Sequence, residues 1–435
     1  MRRENYDVVV IGSGIGGMCA AALMSQGSYK TLVVERLPQL GGRFSTIEYK
    51  GFKLPTGATV VEMGGVVEQI FREVGAEFEP RLIPSAYCRI GGKDYELPQK
   101  GQLRTLISIA SGNEKKSEKV MNALRRGLAW QEPSDRISLH DWLLQYTQDE
   151  KILRIFWGLS TAMLGVDDHE LPAGEFFRYL KAPRSPEGGI APRGNLSMME
   201  SLAKVVRANN AQIWTCCQAK QILVADGVAR RVIIQKDKDE VEITAKVVIS
   251  NTGPKDTVEL AGKENFDKGY LKQLRETLRP VPVIFIQTAS DRPLVEYPTL
   301  ILPQARRVNL VICPTLVCPE LAPRGKHLLI SYGTPKSVLP PYNFEKEIGL
   351  NIQDLKDNFP EFDRCGEILM ASCFYGDWPG FRTMPGCDLP QKTPIENLYN
   401  VGDGVKPPGW TGLPSCAQSA RIVAEDVKQR FKLRG

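Results

Sequence analysis

The first long apolar run of the chain, Tyr6-Asp7-Val8-Val9-Val10-Ile11, is β-branched and almost unbroken. That is the pattern of a strand buried on both faces of a parallel sheet. Thr31-Leu32-Val33-Val34, Val247-Val248-Ile249-Ser250 and Asn397-Leu398-Tyr399-Asn400-Val401 repeat it. The small residues from Met18 to about Gln26 predict a helix packed tightly between the first two runs. At the far end Cys416, Ala420, Val423, Val427 and Phe431 recur in steps of four, three, four and four, which keeps one helical face toward a core. Buried runs alternating with helices predict an α/β domain with a parallel sheet.

The middle of the chain follows other rhythms. Residues 76–188 are dominated by helical patterns: Ser138 begins a capping-box-like start before Leu139-His140-Asp141-Trp142-Leu143-Leu144, and Glu150 to Leu164 continues as one apolar helix. Cys217 to Val224 and Val228 to Gln235 predict a hairpin around Asp226-Gly227. Val283-Ile284-Phe285-Ile286, Val308 to Ile312 and His327 to Tyr332 are strand-like, separated by turn residues and prolines. A second domain follows from this, a mixed β-sheet carrying a helical cap.

Composition narrows the class. A chain of 435 residues exceeds what one core supports, so two domains are the natural division. With 42% apolar and 24% charged residues it is an ordinary globular sequence. The net charge of +6 arises from 56 basic and 50 acidic residues spread along the chain, with no run that reads as a nucleic-acid arm. The ten cysteines show no Cys-x-x-Cys and the three histidines are scattered, so neither a disulfide framework nor a metal cluster is legible. The cysteines are expected as small buried side chains in a reducing cytoplasm. The uncharged stretch from Val8 to Gln26 is long enough for a membrane span, but its glycines fit strand, turn and helix better.

Chemistry enters at the end of the first run. Gly12-Ser13-Gly14-Ile15-Gly16-Gly17 fits G-x-G-x-x-G through Gly12, Gly14 and Gly17. The first glycine permits the turn, the second lets backbone approach a pyrophosphate, and the third lets helix pack on strand. The free amides and positive end of that helix face the phosphates. Glu35, 18 residues beyond Gly17 at the end of the second strand, is placed to accept ribose hydroxyls. The motif predicts a dinucleotide and leaves NAD and FAD unresolved.

Leu40-Gly41-Gly42-Arg43, shortly after Glu35 and Arg36, resembles the second block of the amine oxidase and phytoene desaturase superfamily of flavoproteins. Thr56-Gly57-Ala58-Thr59 resembles that family's segment beside the flavin, although Pro55 stands where an acidic residue is common. Gly402-Asp403-Gly404, followed by Pro408-Gly409-Trp410-Thr411-Gly412-Leu413-Pro414, resembles its C-terminal block. The Pro192-Arg193-Gly194-Asn195 turn resembles another, with Asn195 in place of a glycine. The resemblance implies FAD held by Gly12 to Gly17, Glu35, Arg36, Gly41 to Arg43, Gly57 to Thr59, the backbone near Ala219, Gly402-Asp403, and Gly412-Leu413. It implies cofactor-domain segments at 1–75, 189–255 and 385–435, with substrate-domain segments at 76–188 (the cap) and 256–384 (the mixed sheet).

Trp410, Trp378 and Phe381 are candidates for the substrate cavity wall; Phe374 and Tyr375 belong to the same aromatic cluster. Cys373 and Cys387 lie loosely where some amine oxidases tether flavin, but their flanking pattern differs, so the FAD is expected to be non-covalent. The phytoene desaturase-like order implies hydride transfer between flavin N5 and a mostly apolar unsaturated or allylic small molecule. No residue is assigned as catalytic acid or base, and none as a metal ligand. The electron acceptor is unassigned, and no amphipathic helix signals peripheral membrane contact. An amine oxidase, a reduced-flavin isomerase, hydratase or saturase, and a prenyl-protein escort scaffold stay open as alternatives.

Overall fold

The computed structural model describes residues 2–98, 100–337, 339–375 and 382–433. It is a mixed α/β molecule with a Rossmann-like domain and a second domain built on a mixed sheet.

In the first domain the strands Gln212–Trp214, Thr31–Val34, Arg2–Ile11, Asp239–Ser250 and Leu398–Asn400 lie side by side, all parallel. Their last residues fall in register: Trp214 opposite Val34, Val34 opposite Ile11, Ile11 opposite Ser250, and Ser250 opposite Asn400. Five strand ends drawn from across the chain thus form one level row. The hairpin Cys217–Ala225 with Val228–Lys236 adds two antiparallel strands to the lower half of Asp239–Ser250. The helices Ile15–Gln26, Asn195–Ala208 and Gly412–Arg430 cover one face, burying Met18, Ala21, Met199, Leu202, Ala420 and Val423 at 2% exposure or less.

The second sheet runs in the order Gly366–Phe374, Val283–Ser290, His327–Gly333, Val308–Ile312, Thr299–Ile301, Tyr87–Ile90 and Lys93–Glu96. Its last two strands fall inside the stretch expected to be helical. Gly91 and Gly92 both take positive φ (60° and 75°) and close a tight hairpin there. That Gly-Gly turn was the available signal, and the pairing of Tyr87 with Leu300 carries the hairpin into the mixed sheet.

The helices Gln102–Ser111, Glu114–Ala129, Leu139–Leu144, Glu150–Leu159 and Ala173–Lys181 form the cap. Ser138 caps its helix as the sequence predicts, its Oγ accepting the Asp141 amide at 3.0 Å. The apolar helix expected over 150–164 changes at Ser160 into a π-helical turn that ends at Gly165. The Ser160 and Thr161 hydroxyls donate to the Trp157 carbonyl at 3.0 and 2.7 Å, competing with the helix's own ladder. Among the described residues no helix is long and apolar enough to cross a membrane.

Candidate functional site

In an open parallel sheet, ligands lie outside the carboxyl ends of the strands. Here the row of strand ends opens into Gly12 to Gly17, Glu35, Asn251 and Gly402-Asp403. Each backbone continues the ladder before it turns away: Gly12 N bonds Val34 O (2.8 Å), Asn251 N bonds Ile11 O (2.7 Å), and Val401 N bonds Ser250 O (2.9 Å).

The glycine turn is bare by necessity. Gly12 holds φ +93°, and a Cβ on Gly17 would lie 2.2 Å from Gly12 O. A Cβ on Gly14 would meet Asn251 Oδ1 at 2.6 Å, and one on Gly16 the Gly402 nitrogen at 3.0 Å. Asn251 is the linchpin of this floor, and sequence reasoning passed over it as part of a turn. Its Oδ1 accepts the Gly17 amide at 3.0 Å, while its Nδ2 donates to Val401 O at 3.0 Å. One side chain therefore fixes the glycine turn to the C-terminal strand. The helix entered at Ile15 has no side-chain cap and no acid in its first turn, and the same holds for the helix entered at Gly412. Both leave amide donors for an anionic or electron-rich ligand.

Glu35 is buried at the end of its strand. Its Oε2 accepts the Ser13 amide (2.8 Å) and hydroxyl (2.6 Å), and its Oε1 the Leu37 amide (2.8 Å). Arg36 is exposed at the rim. Cys217 N donates to Glu35 O at 2.8 Å, bringing the strand that contains Ala219 to this end of the row.

Gly41 N bonds Ser13 O at 3.0 Å, so the Gly-Gly-Arg segment lies directly against the glycine turn. Arg43 O accepts the Ala58 amide at 3.1 Å, which lays Gly57, Ala58 and Thr59 alongside it. Two further residues hold that segment and were not singled out from the sequence. Asn195 Nδ2 donates to Ala58 O at 2.6 Å; the side chain in place of the familiar glycine has this contact. Tyr332 of the mixed sheet bonds Gly57 O at 2.8 Å and the Thr59 hydroxyl at 2.6 Å.

Asp403 sits in a buried charge cluster. Arg43 lies 3.1 Å from its Oδ2, which also accepts the Thr383 amide at 3.0 Å. Lys406 is 2.7 Å from its Oδ1, donates to Asp388 at 2.9 Å, and has a side chain only 3% exposed. Burial works against the ammonium charge, but the Asp403 and Asp388 carboxylates outweigh it and hold Lys406 above the ordinary lysine range. Burial also raises Asp388, more than the adjacent Lys406 lowers it. Cys416, in the first turns of the last helix, is pushed up to about 11 by burial, with Asp403 adding to the effect. Two cations and an amide thus hold Asp403 at the strand end, partners that the sequence did not disclose.

The cap reaches this loop through Glu175, which is 1% exposed and accepts the Gly409 amide at 2.8 Å; Arg184 donates to Gly409 O at 3.0 Å. Burial raises the Glu175 pKa against the pull of the Gly409 amide and Arg178. Trp410 is half-buried and packs on the cofactor-domain core, with Leu413 beside it. Trp378 and Phe381 lie outside the described residues. Cys373 is half-buried and Cys387 buried, both as free thiols. His140 and His169, scattered in the sequence, come together in the cap and stack with ring centroids 3.7 Å apart.

A backbone-walled turn, two uncapped helix entries, a buried carboxylate and a partnered arginine along one row fit a dinucleotide carrying an extended second half. The family model for an NAD(P)-binding Rossmann-like domain matches residues 10–74. A crystal structure of an oxidoreductase from Methanosarcina mazei is 30% identical, with a TM-score of 0.85, over 96% of this chain and all of that one. The 15-cis-phytoene desaturase of Solanum lycopersicum is 21% identical over 98% of this chain and 78% of its own length. Cyclohexylamine oxidase from Brevibacterium oxydans, 15% identical, shares the fold with a TM-score of 0.65 over 98% of this chain and all of that one. The chain belongs to the FAD-dependent amine oxidase and phytoene desaturase-like superfamily and is an FAD-dependent oxidoreductase.

Proposed function

We propose that this member of the superfamily holds FAD non-covalently along its row of strand ends and exchanges hydride with a mostly apolar, unsaturated or allylic small molecule, as a desaturase or dehydrogenase. The observation that carries the reading is the level row of strand ends, which opens into Gly12 to Gly17, Glu35 and Gly402-Asp403.

When bound, FAD supplies the two-electron hydride acceptor or donor. Gly12 to Gly17 cradle its pyrophosphate. Glu35 takes ribose hydroxyls through the remaining lone pairs of its carboxylate, with Arg36 at the rim and the backbone at Ala219 toward the adenine. Gly41 and Gly42 let the chain run along the phosphates. Gly57, Ala58 and Thr59 border the ring, held from the substrate side by Tyr332. Gly402 makes the turn that brings in Asp403, whose Oδ1, steadied by Lys406, accepts a ribityl hydroxyl. The amides at Gly412 and Leu413 face charge that develops on the ring, stabilising it with little reorganisation.

The mixed sheet behind Tyr332 is apolar. Phe285 packs 4.9 Å from Tyr332 and 5.2 Å from Phe374, in a cluster with Phe52, Leu54 and Ile330. An amine oxidase would use a lysine on the substrate side, whereas the fully buried Lys406 is committed to two carboxylates. Ten free thiols support a reducing compartment, the cytoplasm.

The test is the visible spectrum of purified protein, identification of the heat-released cofactor, and anaerobic mixing with unsaturated hydrocarbons and with amines. Released FAD that is bleached by the hydrocarbons supports the proposal. Bleaching by amines alone overturns the substrate class, and FAD that stays with the chain after denaturation overturns the non-covalent mode.

A further inference from the structure

The cap contains a cluster for which the flavin chemistry has no use. We propose that His140, Asp168 and His169 form a binding site for a divalent transition-metal ion of the Zn2+ class. One ligand atom from each lies within 4.8 Å of the others. His140 Nδ1 is 3.1 Å from Asp168 Oδ2, and the two imidazole planes differ by 23° in their stack.

The framework beneath the cluster is built. His140 lies in the first turn of its helix, and its amide donates to Asp168 O at 3.1 Å while the Leu139 amide donates to Leu171 O at 2.8 Å. Helix start and loop are therefore clasped together. Asp167 is a supporting residue rather than a ligand: its Oδ1 accepts the His169 amide at 3.1 Å and its Oδ2 the Trp157 indole at 2.9 Å. That leaves the Asp168 carboxylate, 2% exposed, facing imidazole alone among the side-chain contacts described for it. Arg154 is the nearby cation, stacked on Trp157 and bonded to Ala305 O.

Two imidazoles with one carboxylate select borderline ions such as Zn2+, Co2+ or Ni2+ over Ca2+ and Mg2+. Metal–ligand bonds of about 2.0–2.2 Å need the ligand atoms closer together than they now stand. His169 is exposed, so its ring is free to swing out of the stack and close the distance. Its open side leaves the fourth position to water. Binding would pin the 165–171 loop to the helix start. Glu170 in that loop accepts from Ser337 at 2.7 Å, so the ion would also stiffen the cap against the segment that follows the strand His327–Gly333.

The experiment uses the flavin-loaded chain, freed of any affinity tag and stripped by chelator. Zn2+ is titrated calorimetrically, and Co2+ is followed by its visible absorption, in wild type, His169→Ala and Asp168→Asn. The expected result is one ion per chain, a rise in Tm on loading, and binding weakened by at least about tenfold in either variant, with flavin content and bleaching unchanged. Absence of stoichiometric binding to the wild type, or equal binding in His169→Ala, overturns the proposal. His169→Ala changes an exposed side chain, so its fold is expected to persist, and its Tm without metal verifies that.

Discussion

The glycine turn at the centre of the cofactor row and the Asp403 loop at its edge are built differently. At the Gly12 turn, position is set by backbone: φ values, a missing Cβ, and amides in register with neighbouring strands. At the Asp403 loop, position is set by side chains from remote places, with Lys406 and Asp388 beneath, Arg43 opposite, and Glu175 of the cap holding the following loop. The first kind of construction tolerates no added atom, whereas the second tolerates no lost charge. One fold thus uses steric exclusion to fix its glycine turn and electrostatic balance to fix the loop around Asp403.

Removing the charge should break the comparison most visibly. Lys406→Met leaves Asp388 and Asp403 together in a buried pocket, an expected loss of about 3–5 kcal/mol in denaturant unfolding. Neutralising Asp388 as well, as in Lys406→Met with Asp388→Leu, should recover part of that loss; no recovery would mean the cluster is not a unit. Gly17→Ala tests the glycine turn. Its methyl has nowhere to go against Gly12 O, so a loss of about 2–3 kcal/mol in stability should accompany poor FAD retention. Asn251→Ala touches both regions through one side chain and strands the Gly17 amide and Val401 carbonyl, costing about 2 kcal/mol with faster FAD release by fluorescence. Asp403→Ala leaves the buried Lys406 with Asp388 alone, so FAD affinity should fall by about tenfold, or about 1.4 kcal/mol, together with a drop in Tm smaller than that of Lys406→Met. Smallest is Tyr332→Phe, which removes hydrogen bonds to Gly57 and Thr59 and should cost about 1 kcal/mol. A change in flavin absorption there would show that the mixed sheet positions the ring-side segment.

The same contrast explains what the sequence disclosed. The glycine turn, Glu35, Gly41 to Arg43 and the strand runs were legible because backbone demands leave local marks, such as glycines at fixed offsets and β-branched runs of strand length. The mixed sheet was legible as a class from its apolar runs. The Tyr87 to Glu96 hairpin was missed because its surroundings read as helical, even though Gly91-Gly92 marked the turn. Lys406 was illegible because nothing beside it announces that Asp388, eighteen positions earlier, folds back on it. Asn251 and Asn195 looked like ordinary turn residues, and only the structure shows which carbonyls and amides they reach. His140 and His169 stood 29 positions apart until the cap folded.

The level row also sets an order of assembly. Its central strand pair joins residues 2–11 to 239–250, and Asn251 then bonds to Val401, 150 positions later. The glycine turn is thus made well before residues 239–251 and 398–401, which complete its floor. A nascent chain halted before residue 398 carries the turn without the Val401 carbonyl that anchors Asn251 beneath it.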